Sequence, residues 1–321
     1  MIINLICVLI TVAFFTLFER KTLSYMQTRK GPNKVSISGL PQPAADAIKL
    51  FSKQITKPLM ANQIPYFMAP IISLLVALML WQTLPMNSSL LILSWSTLLF
   101  ISLSALNVYG TLLAGWSSNS KYALIGALRA VSQTISYEVS LTLILLTALF
   151  CALSFSFLEI TDNMKYVWFF FMMMPMSLIW LASCVAETNR APFDFAEGES
   201  ELVSGFNIEY GAAGFAMIFL AEYANIILMS MVTAVVFFGG GYVFFTDSSL
   251  VFSTKIIFFC FSFIWFRATY PRFRYDRLMY LTWKGFLPFT LAFLMMTLVV
   301  QMNMFLSKNS LNKTLALEAS N

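Results

Sequence analysis

The sequence predicts an all-α, polytopic membrane protein with eight transmembrane helices and one amphipathic helix at the membrane surface. Of the 321 residues, 59% are hydrophobic and 11% are charged, whereas a soluble domain carries about 25% charged residues. The mean hydropathy is +0.77. The apolar stretches run unbroken for about 20 residues, the length of a helical span, and they lack the alternation of barrel strands. These observations exclude a soluble domain, a disordered chain, a nucleic-acid-binding protein and a secreted disulfide scaffold.

The apolar stretches define one transmembrane domain, residues 1–306, followed by a polar C-terminal tail, residues 307–321. We expect the eight spans at about 2–25, 66–86, 92–114, 131–153, 166–188, 213–241, 251–270 and 285–306. The second and third stretches lie close together, but jointly they are too long for a single crossing.

The lysines and arginines fix the orientation of these spans. All but four of the 20 fall in segments on the side reached after the first span, called the basic side below. The exceptions, on the opposite side, are Lys165, Lys255, Lys308 and Lys313. Because cytoplasm-like compartments hold the basic loops, the basic side is predicted to be cytoplasm-like, or the matrix in a mitochondrion. Both termini are then expected on the opposite side.

A long segment on the basic side separates the first two spans and contains the predicted amphipathic helix, residues 44–55. One stripe of this helix is apolar and consists of Ala44, Ala47, Ile48, Phe51 and Ile55. The other stripe is charged and consists of Asp46, Lys49 and Lys53. This pattern is typical of a helix lying in the membrane interface. Two interpretations stay open, namely a cap over the helix ends and the border of an opening for a lipid-like substrate.

Carboxylates inside the predicted spans are the most informative feature of the sequence. Glu138 and Glu222 lie about nine residues into the fourth and sixth spans, which places both roughly 14 Å below the basic-side boundary. Glu187 and Glu19 lie near the basic-side ends of the fifth and first spans. A carboxylate at such depth costs about 2.5–3.5 kcal/mol and should face the bundle interior or water. We interpret these residues as a proton relay; the alternative is that each pairs with an arginine or a neighbouring helix.

The loop between spans five and six, residues 190–211, is acidic although it lies on the basic side. It carries Asp194, Glu197, Glu199, Glu201 and Glu209, interleaved with apolar residues. A merely solvated loop does not need so many apolar residues, so we expect this acidic loop to be packed as an antechamber leading toward Glu187 and Glu222.

Arginines and aromatic residues alternate after span seven, in residues 267–277, called the arginine segment below. This composition is typical of a positive-inside anchor with an aromatic belt. Because arginine forks pair well with carboxylates, the segment is also suited to hold the acidic loop, to dock a partner or to polarise the carbonyl groups of a ligand.

The composition leaves little room for a redox centre. There are no histidines, and Cys7, Cys151, Cys184 and Cys260 are far apart in apolar stretches. A histidine-ligated haem or zinc site is therefore excluded from this chain alone, and an iron–sulfur cluster is not expected. No dinucleotide-binding or phosphate-binding glycine motif is visible. Any cofactors of a redox machine would lie on other chains.

Several motifs resemble those of one family from about residue 4 to residue 300. They are Glu19-Arg20-Lys21, Arg29-Lys30-Gly31-Pro32-Asn33, Gln42-Pro43 with Asp46-Ala47-Ile48-Lys49, and the stretches 123–137, 186–210 and 267–277. Together they closely resemble NADH–ubiquinone oxidoreductase chain 1, the membrane subunit of respiratory complex I where the membrane arm meets the peripheral arm. The block from Glu187 to Leu202 is long and highly specific.

The resemblance implies eight helices, an amphipathic helix on the matrix side and a place in the mitochondrial inner membrane. It implies ubiquinone as the substrate, with FMN and iron–sulfur clusters on partner subunits. The implied partners are other membrane-arm subunits, peripheral-arm subunits carrying the terminal iron–sulfur cluster, and membrane lipids. Matched by motif, Arg20, Asp46, Phe219 and Arg267 would line or border the quinone passage. The acidic path into the membrane arm would comprise Glu187, Asp194, Glu197, Glu199, Glu201, Glu209, Glu138 and Glu222.

Two other functions fit parts of the sequence. A stand-alone proton-coupled transporter would use the same buried acids, but it predicts internal repeats and helices broken at mid-membrane, for which Pro175 and residues 239–241 are the only hints. A structural anchor for a soluble partner would explain the charge of the basic side but not carboxylates within the bilayer.

Overall fold

The computed structural model describes residues 2–84, 93–196, 198, 205–243 and 246–318, with backbone alone for residues 2 and 308–318. Its long helices are α1 (Ile2–Met26), α3 (Gln63–Leu80), α4 (Ser96–Ser117), α5 (Lys121–Ala152), α8 (Met174–Glu187), α9 (Ala212–Phe237), α10 (Ser249–Thr269) and α12 (Leu287–Glu318). The shorter ones are α2 (Gln42–Ser52), α6 (Phe157–Asn163), α7 (Phe169–Met172) and α11 (Tyr275–Tyr280). A hairpin of β1 (Tyr242–Val243) and β2 (Thr246–Asp247) links α9 to α10.

The described chain is an all-α, polytopic membrane protein, as the sequence predicts. Seven of its described helices are long and apolar enough to cross a membrane, and α8 is a shorter apolar helix. The expected span at 166–188 is divided between α7 and α8, with Met173 between them in a non-helical conformation. Pro175 follows this break in the first turn of α8, where its missing N–H group leaves no intrahelical bond unmade.

Two helices organise the bundle. Helix α9 contacts α1, α2, α3 and α10, and its second half is almost completely buried. Helix α5 contacts α4, α8 and α12. Three carboxylates of the candidate site, Glu138, Glu187 and Glu222, lie on these two helices and on α8, which contacts both.

Several helices extend beyond the expected spans. Helix α5 begins at Lys121, ten residues before the expected start at residue 131. The chain after α11 passes through a π-helical turn, Leu281–Phe286, and α12 keeps a helical backbone to Glu318, into the expected polar tail. The expected spans are based on the apolar residues alone, and these mark only the part of a helix that lies in hydrocarbon. The backbone hydrogen bonds of a helix can continue beyond the edge of the hydrocarbon layer.

The predicted amphipathic helix corresponds to α2, which ends at Ser52, three residues before the expected end at residue 55. Of its charged stripe, Lys49 and Lys53 are exposed. Asp46 is turned toward α1, where Arg20 binds it. Ile48, Phe51 and Ile55 are exposed at the outer surface of the protein. An apolar stripe that points away from the bundle suits a helix lying in the lipid interface.

Candidate functional site

Glu19 lies at the centre of an ion-pair cluster near the basic-side end of α1. Its side chain is 7% exposed, and its Oε1 atom accepts a hydrogen bond from Nη1 of Arg267. Nη1 of Arg190 lies 3.9 Å from the same oxygen. Glu19 therefore pairs with arginines, which is the alternative considered for the membrane glutamates. Its partners are Arg267 of α10 and Arg190 of the acidic loop, not the adjacent Arg20.

Aromatic side chains extend this cluster along α9. The guanidinium carbon of Arg190 lies 4.4 Å from the ring centroid of Tyr223, close enough for a cation–π interaction. The rings of Phe15 and Phe219 lie 5.8 and 6.3 Å from that of Tyr223. Phe219, one of the four residues expected at a quinone passage, is thus connected to the Glu19 cluster through Tyr223.

The other expected passage residues lie beside this cluster. Nη1 of Arg20, the residue after Glu19, binds Oδ2 of Asp46 at 2.7 Å. The second oxygen of Asp46 accepts a hydrogen bond from Gln42 at 3.0 Å. Arg20 and Asp46 keep 51% and 33% of their side chains exposed. The structure therefore places Arg20, Phe219 and Arg267 near the basic-side ends of α1, α9 and α10, and Asp46 on α2, where it pairs with Arg20.

Glu187 and Glu222 line one polar cavity between α3, α4, α8 and α9. The cavity measures about 30 Å³, and its polar lining also includes Asn107, Thr111, Asn189 and Asn225. This volume accommodates one or two water molecules. Glu187 Oε2, Asn189 Oδ1 and Asn225 Oδ1 are buried and accept no hydrogen bond from the described residues. Buried oxygens of this kind are normally satisfied by water, so the cavity has the chemistry of a hydrated site.

Glu138 approaches this cavity from α5. It is half-buried, and its carboxyl group interacts electrostatically with that of Glu187. Gln133, five residues earlier on α5, donates hydrogen bonds to the carbonyl oxygens of Ala186 at 2.9 Å and Phe193 at 2.7 Å. These bonds fix α5 against the end of α8 and the start of the acidic loop. Glu187 thus shares the cavity with Glu222 and interacts electrostatically with Glu138, so the three carboxylates come from α8, α9 and α5.

The arginine segment holds the start of the acidic loop. Nη2 of Arg272 binds Oδ2 of Asp194 at 2.9 Å, and the backbone N–H of Phe273 donates to the carbonyl oxygen of Pro192 at 3.1 Å. The rings of Phe193 and Phe273 lie 5.5 Å apart. These contacts agree with one of the three roles considered for the arginine segment, namely holding the acidic loop.

The end of the acidic loop is fixed by two tyrosines. The ring of Tyr210 stacks on that of Tyr66 at 4.4 Å, and the Tyr66 hydroxyl donates to the carbonyl oxygen of Glu209 at 2.7 Å. Burial raises the pKa of Tyr210 to about 12, so this residue stays neutral at physiological pH. Glu197, Glu199 and Glu201 lie outside the described residues.

Sequence reasoning assigned no role in the site to Tyr223, Asn107, Asn189 or Asn225. Asn225 had a usable signal, because it follows Glu222 by three residues and so shares its helix face. Asn107 and Asn189 belong to distant segments, and the sequence alone gives no indication that they meet at one cavity.

Comparison with known proteins identifies the family. The family model described as NADH dehydrogenase matches residues 1–298. The chain belongs to the NADH dehydrogenase family. Among curated relatives, NADH-ubiquinone oxidoreductase chain 1 of Anopheles gambiae is 55% identical over 289 residues, covering 90% of each chain. The same-named proteins of Heterololigo bleekeri and Notamacropus eugenii are 52% and 53% identical, covering 93% and 91% of this chain and 95% and 92% of theirs.

The match to the NADH dehydrogenase family covers the whole candidate site. Every described residue of the Glu19 cluster and of the polar cavity falls within residues 1–298. The last residues of α12 fall outside the match. The region matched by the family model therefore includes the site, but it does not include the C-terminal end of the chain.

Proposed function

We propose that this chain is a membrane subunit of the proton-pumping NADH:ubiquinone oxidoreductase, respiratory complex I. Family membership and the names of the relatives support this assignment. In the finer form of the proposal, the chain lies in the mitochondrial inner membrane with the basic side toward the matrix and both termini toward the intermembrane space, an orientation supported by the distribution of lysine and arginine.

The chain would form much of the chamber through which ubiquinone reaches its reduction site. Three contacts support this role: Arg20 pairs with Asp46 of α2, Arg267 pairs with Glu19, and Phe219 packs near Tyr223. Their charged groups suit the polar quinone head, and aromatic and aliphatic surface suits its apolar tail. The electrons would come through FMN and iron–sulfur clusters on partner subunits, the terminal cluster being on the peripheral arm.

The chain would also couple quinone reduction to proton movement. The observation that carries this proposal is the shared cavity of Glu187 and Glu222, with Glu138 in electrostatic contact with Glu187. Reduction of a quinone changes the charge in the chamber, and a nearby carboxylate responds by binding or releasing a proton. Asp194, Glu197, Glu199, Glu201 and Glu209 would supply the acidic antechamber, and Glu187, Glu138 and Glu222 would carry the change to the other membrane-arm subunits.

Two measurements on the assembled complex test the two parts of the proposal. A photoactivatable quinone analogue should label peptides containing Arg20, Asp46 or Phe219, and excess quinone should suppress the labelling. Glu138→Gln should lower both quinone reduction and proton translocation. Glu159→Gln, which neutralises an exposed carboxylate on α6, serves as the matched control. Labelling confined to other subunits overturns the chamber, and normal turnover with normal translocation in Glu138→Gln overturns the relay.

A stand-alone transporter stays a hypothesis without a specific supporting observation. Such a protein would need a broken helix near mid-membrane. The break at Met173 lies four residues after the start of α7, toward the opposite side.

A further inference from the structure

A second cavity lies at the opposite side of the membrane, away from the acidic relay. It measures about 280 Å³ and is enclosed by α6, the second half of α9, the turn at Gly240 and Gly241, the β-hairpin and the start of α10. Its floor is apolar and includes Met231, Val235 and Phe252, whereas its rim is polar and includes Asp162 and Asp247. The cavity is called the hairpin cavity below.

The depth of the hairpin cavity matches the membrane boundary. Helix α9 ends at Phe237, and Met231 lies six residues earlier, which places the floor about 9 Å below the helix end. Of the rim residues, Asp162 belongs to the short helix α6 and Asp247 to β2, and both elements lie in connections between the long helices. A molecule in this cavity must therefore be amphiphilic, with a polar head at the surface and an apolar part among the helices.

The rim carries carboxylates that the neighbouring lysines do not fully neutralise. All three N–H groups of the Lys255 ammonium donate to backbone carbonyls, those of Phe238, Gly240 and Tyr242, at 2.6, 2.9 and 3.0 Å. An ammonium group has three donors, so Lys255 fixes the turn and has no further donor for Asp247. Within the described part of the chain, the Asp247 carboxylate attracts Lys255 electrostatically.

Asp162 is held in place but stays accessible. It accepts a hydrogen bond from the Tyr242 hydroxyl at 2.9 Å, and Lys165 pairs with it at 3.2 Å. The pair is about half exposed, with 43% of Lys165 and 53% of Asp162 open to the surroundings. Such surface pairs contribute about 0–1 kcal/mol, so a ligand cation can displace Lys165 at little cost.

Gly241 allows the Asp247 carboxylate to lie close to the turn at the rim of the cavity. A side chain at Gly241 would overlap the Asp247 carboxylate. Glycine at this position lets the carboxylate fold back against the turn, where it borders the cavity. Two carboxylates thus flank the mouth of a cavity that has an apolar floor.

We propose that the hairpin cavity binds one phospholipid with a primary ammonium headgroup, of the ethanolamine type. The ammonium group binds Asp247 and Asp162, and the first part of an acyl chain lies against Met231, Val235 and Phe252. The carboxylates disfavour an anionic headgroup by repulsion. A quaternary ammonium headgroup, which has neither N–H nor O–H donors, forms no conventional hydrogen bond to them. This site is independent of the quinone chamber and of the relay.

The test uses the assembled complex in vesicles that contain traces of photoactivatable phospholipids. Two probes share one acyl chain, which carries the reactive group, and differ only in an ethanolamine or a glycerol headgroup. The ethanolamine probe should label peptides containing Met231 or Phe252 at least about five-fold more than the glycerol probe, a preference equal to about 1 kcal/mol. Asp247→Asn should remove this preference, and Glu159→Gln, on the same side of the membrane but outside the cavity, should preserve it.

A further variant keeps the inference testable if Asp247→Asn fails to assemble. Leu158→Trp enlarges a partly exposed side chain that lines the cavity, and it should abolish labelling while leaving the rim intact. Equal labelling by both probes, an unchanged preference in Asp247→Asn, or occupation of the cavity by a segment of another subunit would each overturn the assignment.

Discussion

Glu187 and Glu222 belong to different helices, α8 and α9, and their side chains line the same polar cavity. Asn225 lies on the same face of α9 and adds a buried oxygen that accepts no hydrogen bond from the described residues. In the interior of a membrane protein, such a group needs water or a mobile proton donor. The shared cavity supports the proposed relay, because it places two of the acidic residues around one common space.

Replacing Asn225 tests the role of water in this cavity. Asn225→Leu removes the amide and fills the space with apolar surface, so water is expected to leave. Proton translocation per quinone reduced should fall several-fold, whereas Asn225→Asp should retain most of it. The measurement is the quench of a pH-sensitive dye in vesicles containing the complex. Unchanged translocation in Asn225→Leu would show that the cavity carries no protons.

Glu19→Gln tests the importance of the buried ion-pair cluster. Loss of this carboxylate leaves Arg267 and Arg190 without their shared counter-charge. Glu19 and Arg190 are 7% and 11% exposed but Arg267 is 42% exposed, so the cost should lie between the about 0–1 kcal/mol of an exposed pair and the about 3–5 kcal/mol of a fully buried one. The thermal midpoint of the assembled complex should therefore drop markedly.

Asp46→Asn is the control for Glu19→Gln. It breaks an ion pair whose partners are half exposed, and such pairs contribute about 0–1 kcal/mol. The midpoint should change little. Equal effects of the two substitutions would contradict the distinction drawn between the two pairs.

The sequence predicted the fold class and the segments that meet at the site, because hydrocarbon imposes a strong apolar signal on every span. It did not predict the partners of Glu19. Arg267 lies 248 residues away along the chain, and spacing within one helix says nothing about contacts over such separations. The start of α5 at Lys121 and the break at Met173 were missed for a similar reason, since backbone hydrogen bonding and packing decide them.

Asp194→Asn tests the attachment of the acidic loop to the arginine segment. Without the pair to Arg272, the loop should open more often, and the Phe273 amide that donates to Pro192 should exchange with solvent faster. Loss of about 1 kcal/mol corresponds to roughly five-fold faster exchange. Asp276→Asn, which breaks a largely exposed pair with Arg274, should leave this amide unaffected. Unchanged exchange in Asp194→Asn would mean that the aromatic contacts alone hold the loop.

Tyr210→Phe tests the contact between the acidic loop and α3. The variant loses the hydroxyl contacts to Ser117 and to the Tyr66 carbonyl, at a cost of about 1–2 kcal/mol. Because burial raises the pKa of Tyr210 to about 12, its contribution is fully present below the ordinary tyrosine pKa of about 10 and is lost as the pH rises toward 12. The difference in thermal midpoint between native and variant complex should be constant near neutral pH and should shrink above about pH 10. A difference that widens at alkaline pH would contradict this assignment.

The relay is tested most directly at Glu187, which links Glu138 to the cavity. Glu187→Gln preserves the shape of the side chain but cannot titrate. The decisive measurement is the pair of rates, ubiquinone reduction and proton translocation, in vesicles that contain the assembled complex and oxidise NADH. Electron transfer to a hydrophilic acceptor is the assembly control. We predict that ubiquinone reduction and proton translocation both fall at least about ten-fold, a loss of about 1.4 kcal/mol or more, while transfer to the hydrophilic acceptor is retained. A Glu187→Gln complex that reduces ubiquinone at the native rate with the native proton ratio would contradict the account.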